Sequence, residues 1–419
     1  MDARQQRAEE LLATGMIHRQ GHVWFVPSQS GGGRHAVVFQ GDAANCDCSD
    51  FELRQLPCKH IIAVKMLRAR ELLGIPMPQR PETPPVPSRK TYSQSWTEYN
   101  AAQTNEKVHF QDLLAELCRT VPEPLRQKTG RRSLPLADSL FASVFKVYST
   151  VSARRFMCDL AEARERGHIG RLPHFNSVLN GLDNTAMTPI LFDLIRQSAL
   201  PLCVVEQDFA VDSSGFMTSR FVRWYDQKYG TTRQKHEWVK VHLVCGVKTN
   251  IVTAVEILDK DAGDSPRLPS LIEATAKGFR IAEVSADNAY ASRDNFDAVD
   301  RVGGTLYAAF QSSATGGVGG LFQKMFHLFS LNREEYLRHY HKRSNVESTF
   351  SMVKRKFGDA LRSKTDTAMK NEALAKILCH NLCCLISAWY ELGIEPLFGA
   401  PPEDDEPRDV LRFRPAQKL

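Results

Sequence analysis

The chain has 419 residues, of which 42% are hydrophobic and 24% charged, a composition typical of a globular protein large enough for two or three domains. Its formal net charge of +6 permits contact with nucleic acid without requiring it. We expect neither a signal peptide nor a membrane span, because the charged N-terminus lacks an apolar stretch and no segment reaches roughly 18 apolar residues.

A small first module is predicted for residues 1–73. Short strands at 22–26 and 36–39 flank a Gly-rich turn, and a helix follows from Ile61 to Leu73. Four residues of the types that bind zinc lie within fifteen positions: Cys46, Cys48, Cys58 and His60. Four such ligands suit a closed tetrahedral Zn²⁺ site, which would stabilise so small a module. The alternative is four unrelated residues.

The spacing of these residues, C-x-C-x9-C-x-H, resembles the SWIM zinc finger. The resemblance implies an accessory module that contacts DNA or protein, and the sequence leaves open which. Three of the ten cysteines belong to this cluster, and the ten do not form the pattern of a disulfide framework. We therefore expect a reduced, cytoplasmic protein.

A Pro-rich linker is predicted for residues 74–107 and a helical region for 108–200. Six prolines between Pro76 and Pro87 disfavour helix and central strand, which indicates a stiff extended spacer. Apolar residues at helical spacing predict helices at 110–117, 136–148, 152–166 and 187–200. The basic loop Lys128–Arg132 either touches phosphates or is simply solvated.

An α/β domain is predicted for residues 201–395. Three strands come first, then a helix, a strand, a helix, a strand and further helices; the strands fall at 202–211, 239–247, 251–258, 279–285 and 305–310. The second strand alternates apolar and polar residues, which predicts that one of its faces is exposed. This order matches the ribonuclease H-like fold, a mixed sheet flanked by helices. The Pro- and acid-rich tail, 396–419, is expected to be disordered.

Three acidic residues occupy the positions where such a core would hold divalent metal ions. Asp212 and Asp287 are predicted at strand ends, and Glu347 on a later helix. Converging carboxylates suit Mg²⁺, and a pair of such ions supports phosphodiester chemistry. Each acid has a simpler alternative: a turn former, a helix cap or an i,i+4 ion pair with Arg343. Asp208 shares the strand parity of Asp212 and is a rival for its role.

A stripe of functional side chains is predicted around Glu347. At about 100° per residue, Tyr340, Arg343, Glu347 and Lys354 fall within about 60° of one another on a helix. Residues 333–364 hold nine Lys/Arg against four Asp/Glu, a local excess of +5. A carboxylate among phosphate-binding cations favours nucleic-acid chemistry over a merely solvated face.

These residues resemble the DDE transposases of bacterial insertion sequences. The Y-x2-R-x3-E-x6-K pattern from Tyr340 to Lys354 matches at every defined position, and the stretches 209–215, 284–290 and 340–350 are also similar to that family. The resemblance covers roughly residues 95–395. The sequence departs from the family at Asn288, where we expect Lys; Asn removes a phosphate contact but no metal ligand.

The resemblance implies specific roles and partners. Asp212, Asp287 and Glu347 would be catalytic and would bind Mg²⁺ or Mn²⁺, while Tyr340, Arg343 and Lys354 would bind DNA. The helical region would also bind DNA. The implied reaction is hydrolysis at the ends of the element, followed by attack of the freed 3′-OH on target DNA. The same resemblance implies that the protein binds double-stranded DNA and forms a homodimer that bridges two ends. It also implies a bacterial, nucleoid-associated protein.

Two alternatives remain open from the sequence. A metal-dependent nuclease of the same fold would cleave DNA without strand transfer. An inactive, transposase-derived DNA-binding protein would hold the ends without cutting them.

Overall fold

A computed structural model describes residues 3–29, 33–41, 43–75, 95–124, 134–218, 238–258, 263–311, 314–317 and 319–398. Nearly all of the Pro-rich stretch, the basic loop at 128–132 and most of the predicted tail lie outside these described residues. The chain divides into two compact units, Met1–Ser93 and Gln94–Leu419.

The first unit is a four-stranded antiparallel sheet with three helices. Its elements in chain order are α1 Ala3–Ala13, β1 His18–Gln20, β2 Val23–Pro27, β3 Arg34–Gln40, β4 Ala43–Cys46, α2 Ser49–Arg54 and α3 Lys59–Leu72, with sheet order β1-β2-β3-β4. Trp24 and Val37 from one face of the sheet pack on Ile61 and Leu67 of α3 in a separate apolar core. The sequence predicted the two central strands and α3, and it missed the short outer strands.

Within its described residues, the second unit begins with five helices. They are α4 Trp96–Arg119, α5 Leu136–Ser149, α6 Ala153–Glu165, α7 Phe175–Leu182 and α8 Met187–Ala199. Because α4 begins at Trp96, the linker predicted to reach residue 107 ends earlier. Apolar residues of these helices and of the following sheet form one continuous core, so 108–200 is not a separate folding unit. α7 was not predicted.

The sheet of the second unit has the predicted ribonuclease H-like topology. Its strands are β5 Asp208–Met217, β6 Trp238–Gly246, β7 Val252–Leu258, β8 Glu283–Ala286 and β9 Thr305–Ala308. The order is β7-β6-β5-β8-β9, with β5, β6 and β7 antiparallel and β5, β8 and β9 parallel. The helices α9 Leu268–Ala276 and α10 Arg293–Arg301 make the crossovers, as parallel pairing requires.

Three strand predictions were wrong in detail. The strand predicted at 279–285 begins only at Glu283. The apolar run at 202–211 was expected to be a strand ending near Asp212. In the structure a short 3₁₀ helix occupies Leu200–Leu202, and β5 begins only at Asp208. Because β5 continues to Met217, Asp212 lies inside the strand. The strand β6 was expected to be exposed on one face, but it is buried on both faces along most of its length, and His242 is fully buried. Helices cover both faces of the sheet there, which overrides the alternating pattern.

The C-terminal part of the chain is helical; one of its helices bears the third acid, and its last helix lies in the core. They are α11 Gly320–Leu331, α12 Arg333–Tyr340, α13 Ser344–Phe357 and α14 Asp366–Leu392. A 3₁₀ turn at His341–Arg343 separates α12 from α13, so the stripe predicted on one helix spans a helix break. By length and composition, helix α14 could cross a membrane. However, 78% of its most apolar stretch is buried within the protein.

Candidate functional site

The two aspartates directly follow a paired position of two parallel strands. Val211 of β5 pairs with Ala286 of β8, and Asp212 and Asp287 follow them directly. Since β8 ends at Ala286, Asp287 caps the 3₁₀ turn Asn288–Tyr290, and its carboxylate accepts a hydrogen bond from the Asn288 N–H at 2.7 Å. The Asp212 carboxylate accepts one from the Ser213 N–H at 2.7 Å. The register of β5 and β8 therefore fixes the positions of two of the three acids.

A single guanidinium joins the first and third acids. The Nη2 atom of Arg343 lies 2.7 Å from Oε1 of Glu347, and its Nη1 atom lies 3.4 Å from Oδ2 of Asp212. The Glu347 side chain is 57% exposed, whereas that of Asp212 is 23% exposed. The ion pair with Arg343 expected as the simple alternative for Glu347 is therefore present, and the same cation also reaches Asp212.

The acids act on one another electrostatically. Burial raises the pKa of Asp212, and the neighbouring carboxylates of Asp287 and Glu347 raise it further, against the opposing effects of the Ser213 N–H and Arg343. Burial alone would lower the pKa of Arg343, but Glu347, Asp287 and Asp212 are among the groups that raise it overall. Negative charge is therefore concentrated at this edge of the sheet, with Arg343 as its counter-ion.

An open groove of about 660 Å³ lies beside the acids, and Asp212, Glu347 and Lys354 all line it. The Lys354 ammonium donates a hydrogen bond to Oγ of Ser214 at 2.6 Å and lies 5.6 Å from the ring centre of Phe216. Burial lowers the pKa of Lys354. Tyr340, the last residue of α12, packs partly buried against the core. The groove is thus lined by two of the three acids and by a cation.

Asp208, the rival of Asp212, is engaged elsewhere. It lies at the start of β5, opposite Glu283 at the start of β8. The Lys342 ammonium lies 2.7 Å from both carboxylates, and Nδ1 of His339 lies 2.9 Å from Oε2 of Glu283. This ion-pair network fixes the 3₁₀ turn to the sheet, and it leaves Asp212 as the aspartate of β5 that faces the groove.

The chemistry of the three acids fits a hard divalent cation, because carboxylate oxygens are the ligands that Mg²⁺ and Mn²⁺ prefer. Asp212 and Asp287 come from adjacent positions of paired strands, and Glu347 reaches Asp212 through Arg343. Across the described residues, the acids do not form a group whose ligand atoms all lie within 4.8 Å, unlike the cluster of the first unit.

That cluster joins the four predicted zinc ligands, all buried: Cys46, Cys48, Cys58 and His60. Their ligand atoms lie within 4.8 Å of one another. Nδ1 of His60 lies 3.8 Å from Sγ of both Cys46 and Cys58, close to the roughly 3.6 Å expected between sulfur and nitrogen around a tetrahedral zinc ion. A hydrogen bond from Cys46 is the main cause that lowers the pKa of Cys58. The donor set therefore fits Zn²⁺.

The sequence did not point to three residues near the acids. Ser214 holds Lys354, and Asp264 binds the Lys240 ammonium at 2.5 Å and accepts a hydrogen bond from Oγ of Ser213 at 3.3 Å. The hydroxyl of Tyr290 is buried near the acids. Tyr290 stands three positions after Asp287, at the end of the turn that Asp287 caps. This short spacing in the sequence could have indicated that Tyr290 lies near the acids.

Comparison with protein families agrees with this geometry. Residues 205–382 match the family model described as the transposase DDE domain, and residues 35–68 match the SWIM zinc finger. No curated protein and no solved structure matches the chain. The chain therefore carries a transposase DDE domain and a SWIM zinc finger, which confirms the resemblance drawn from the sequence.

Proposed function

We propose that the protein cleaves the phosphodiester bonds at the ends of an insertion sequence and joins the freed 3′-OH to target DNA. The observation that carries this proposal is the adjacency of Asp212 and Asp287 on paired strands, with Arg343 linking Asp212 to Glu347. The match to the transposase DDE domain supports the same class of reaction.

Asp212, Asp287 and Glu347 would hold Mg²⁺ or Mn²⁺. Two such ions supply an activated attacking oxygen and stabilise the leaving oxygen. Arg343 neutralises the acids when they hold no cation, and it becomes available for phosphate when a cation takes over that role. The acids Asp212 and Glu347 line the same groove as Lys354, so a phosphate bound in this groove would lie near both the metal-holding acids and the Lys354 ammonium.

Double-stranded DNA is the proposed ligand of this groove. Lys354, Arg343 and Tyr340 would position the phosphates of the element's end, and the preceding helices would bind further DNA. A homodimer would hold two ends together, and the zinc module would contact DNA or protein. We propose a bacterial cytoplasmic location at the nucleoid, because the substrate is there.

The test uses end-labelled DNA taken from the sequence that flanks the gene, with a supercoiled target plasmid and Mg²⁺ or Mn²⁺. We expect cleavage that leaves a 3′-OH, followed by joined products. Asp212→Asn should abolish both steps and keep DNA binding within about threefold, because one carboxylate is lost and the fold is retained.

Asp208→Asn is the matched control, since it makes the same change four residues earlier on β5 in an acid paired with Lys342. It should retain cleavage. Cleavage without joining would support the nuclease alternative, and binding without cleavage in either metal would support the inactive DNA-binding protein. Equal loss of cleavage in both variants would remove the assignment of Asp212.

A further inference from the structure

The hydroxyl of Tyr290 has no hydrogen-bond partner among the described residues, although the side chain is only 1% exposed. A buried hydroxyl without a partner lowers the stability of the folded protein, because it has lost its hydrogen bonds to water. Such groups are rare in native proteins, and each calls for an explanation.

Two other tyrosines of the same unit, the buried Tyr336 and the half-buried Tyr148, have hydrogen-bond partners for their hydroxyls. The Tyr336 hydroxyl donates to the Ala308 carbonyl at 2.8 Å and accepts from the Ala308 N–H at 3.2 Å. The Tyr148 hydroxyl donates to Oε1 of Glu106 at 2.8 Å. The unpaired hydroxyl of Tyr290 is therefore not a general property of this core.

The backbone around Tyr290 is firmly held. Its N–H donates to the carbonyl of Asp287 at 3.0 Å, and its own carbonyl accepts from Nδ2 of Asn295 at 2.8 Å. Asn295 is 1% exposed and also donates to Oγ of Ser265 at 2.9 Å. The main chain that carries this buried ring is therefore fixed in place beside Asp287.

Three carboxylates act electrostatically on this hydroxyl, and none of them bonds to it. After burial, which is the main cause, Asp264, Asp212 and Asp287 all raise the pKa of Tyr290. Asp264 already has partners in Lys240 and Ser213. The phenol therefore keeps its proton, and it is a buried donor without a partner in the turn that Asp287 caps.

We propose that Tyr290 is a positioning residue for the divalent ion held by Asp212 and Asp287, and that its hydroxyl donates a hydrogen bond into the hydration shell of that ion. Mg²⁺ and Mn²⁺ sites commonly retain water, and outer-shell hydrogen bonds fix the geometry of a metal site. The inference rests on the proposed metal-binding role of the acids and adds a residue to it.

The test measures Mn²⁺ binding and stability in Tyr290→Phe, with Tyr336→Phe as the matched control. Mn²⁺ binding is followed by the electron paramagnetic resonance signal of the free ion, and thermal unfolding is followed in chelator. Tyr290→Phe should bind Mn²⁺ about three- to tenfold more weakly, the value of one hydrogen bond. Its melting temperature without metal should be equal to or above that of the wild type, because an unpaired buried hydroxyl is removed.

Tyr336→Phe should show the reverse, with a lower melting temperature and unchanged Mn²⁺ binding, because it leaves the Ala308 peptide groups unpaired. The inference is overturned if Tyr290→Phe binds Mn²⁺ as tightly as the wild type while Asp212→Asn loses binding. It is also overturned if the metal-free Tyr290→Phe protein melts well below the wild type. Absence of Mn²⁺ binding in the wild type would instead remove the proposed metal site itself.

Discussion

Lys354 and Lys356 lie two positions apart on α13 and reach opposite sides of the helix. The Lys354 ammonium bonds to Ser214 at the wall of the groove, whereas that of Lys356 pairs with Glu106 of α4. The Glu106 side chain is 11% exposed and also accepts the hydroxyl of Tyr148. One lysine therefore faces the proposed DNA site, and the other fastens α13 to the preceding helices.

This arrangement predicts different effects of the same substitution. Lys354→Gln should weaken DNA binding and reduce the slope of log affinity against log salt by about 1, the value for one phosphate contact. Its free energy of unfolding should change by less than about 0.5 kcal/mol, because burial already disfavours the Lys354 charge. Filter binding across a salt series and urea unfolding measure the two effects.

Lys356→Gln is the counterpart. It leaves the Glu106 carboxylate without its cation in a largely buried position, so unfolding should cost about 2 kcal/mol less than in the wild type. The salt slope of DNA binding should be unchanged. If Lys356→Gln alters the salt slope and Lys354→Gln does not, the assignment of the two sides is wrong.

A buried lysine predicts a rise in stability at alkaline pH. The Lys376 ammonium, 1% exposed, donates to the carbonyls of Gly358 and Ala360 beside the groove. Burial is the main cause that lowers its pKa from 10.5 to about 8, while Glu372 opposes the shift. Between these two pH values the unfolded chain keeps a proton that the folded chain has released, so raising the pH favours folding.

The wild type should therefore gain up to roughly 3 kcal/mol relative to Lys376→Met as the pH rises from 8 to 10.5. Urea unfolding of both proteins at several pH values measures the difference, and titrations common to both cancel. A constant difference across this range would show that the pKa of Lys376 is the same in the folded and unfolded states.

The cysteine–histidine cluster predicts one tightly bound zinc ion per chain. Cys48→Ser should lose stoichiometric zinc, because thiolate is a far stronger zinc ligand than hydroxyl. Cys158→Ser changes a cysteine that is exposed and outside the cluster, and it should keep the metal. Zinc content is measured by atomic absorption after dialysis, and hydrogen exchange of residues 34–67 should become faster only in Cys48→Ser.

A tight packing contact predicts a strong effect of one methyl group. A Cβ on Gly246 would lie 2.4 Å from Cδ of Glu206, a buried acid that accepts hydrogen bonds from the Lys248 N–H and from Thr249. Gly246→Ala should lower the free energy of unfolding by about 2–3 kcal/mol, because Glu206 must release the turn between β6 and β7.

Gly170→Ala is the control for that change. A Cβ there would meet Oδ2 of Asp138 at 3.6 Å, an ordinary contact, and its backbone is outside the left-handed region. Urea unfolding should show a change below about 0.5 kcal/mol. Similar losses in both variants would show that the Gly246–Glu206 contact is not specific.

The sequence predicted the fold, and the positions of the candidate site residues in it, where local patterns agree with tertiary structure. Helix α5 was predicted at 136–148 and lies at Leu136–Ser149, because its apolar residues recur at helical spacing. The zinc ligands were predicted from spacing alone, since they lie close in the chain. The position of Asp287 after β8 was predicted because apolar residues end there.

The features that the sequence did not predict depend on contacts between residues far apart in the chain. β5 continues through the polar Ser213, Ser214 and Gly215 because β6 pairs with it as far as Met217, which no local propensity indicates. The break before α13 coincides with the ion pairs of Lys342 to Asp208 and Glu283, more than fifty residues away in the chain. Neither partner could be identified from the sequence.

The 3₁₀ turn before α13 also means that the three acids are held by different parts of the chain. Asp212 is held on both sides by neighbouring strands, but the largely exposed Glu347 lies one helical turn beyond an interruption. The position of the third carboxylate is therefore set by α13, while that of the first is set by the sheet. Under the proposed function, DNA that displaces α13 would shift one metal ligand and leave the other two in place.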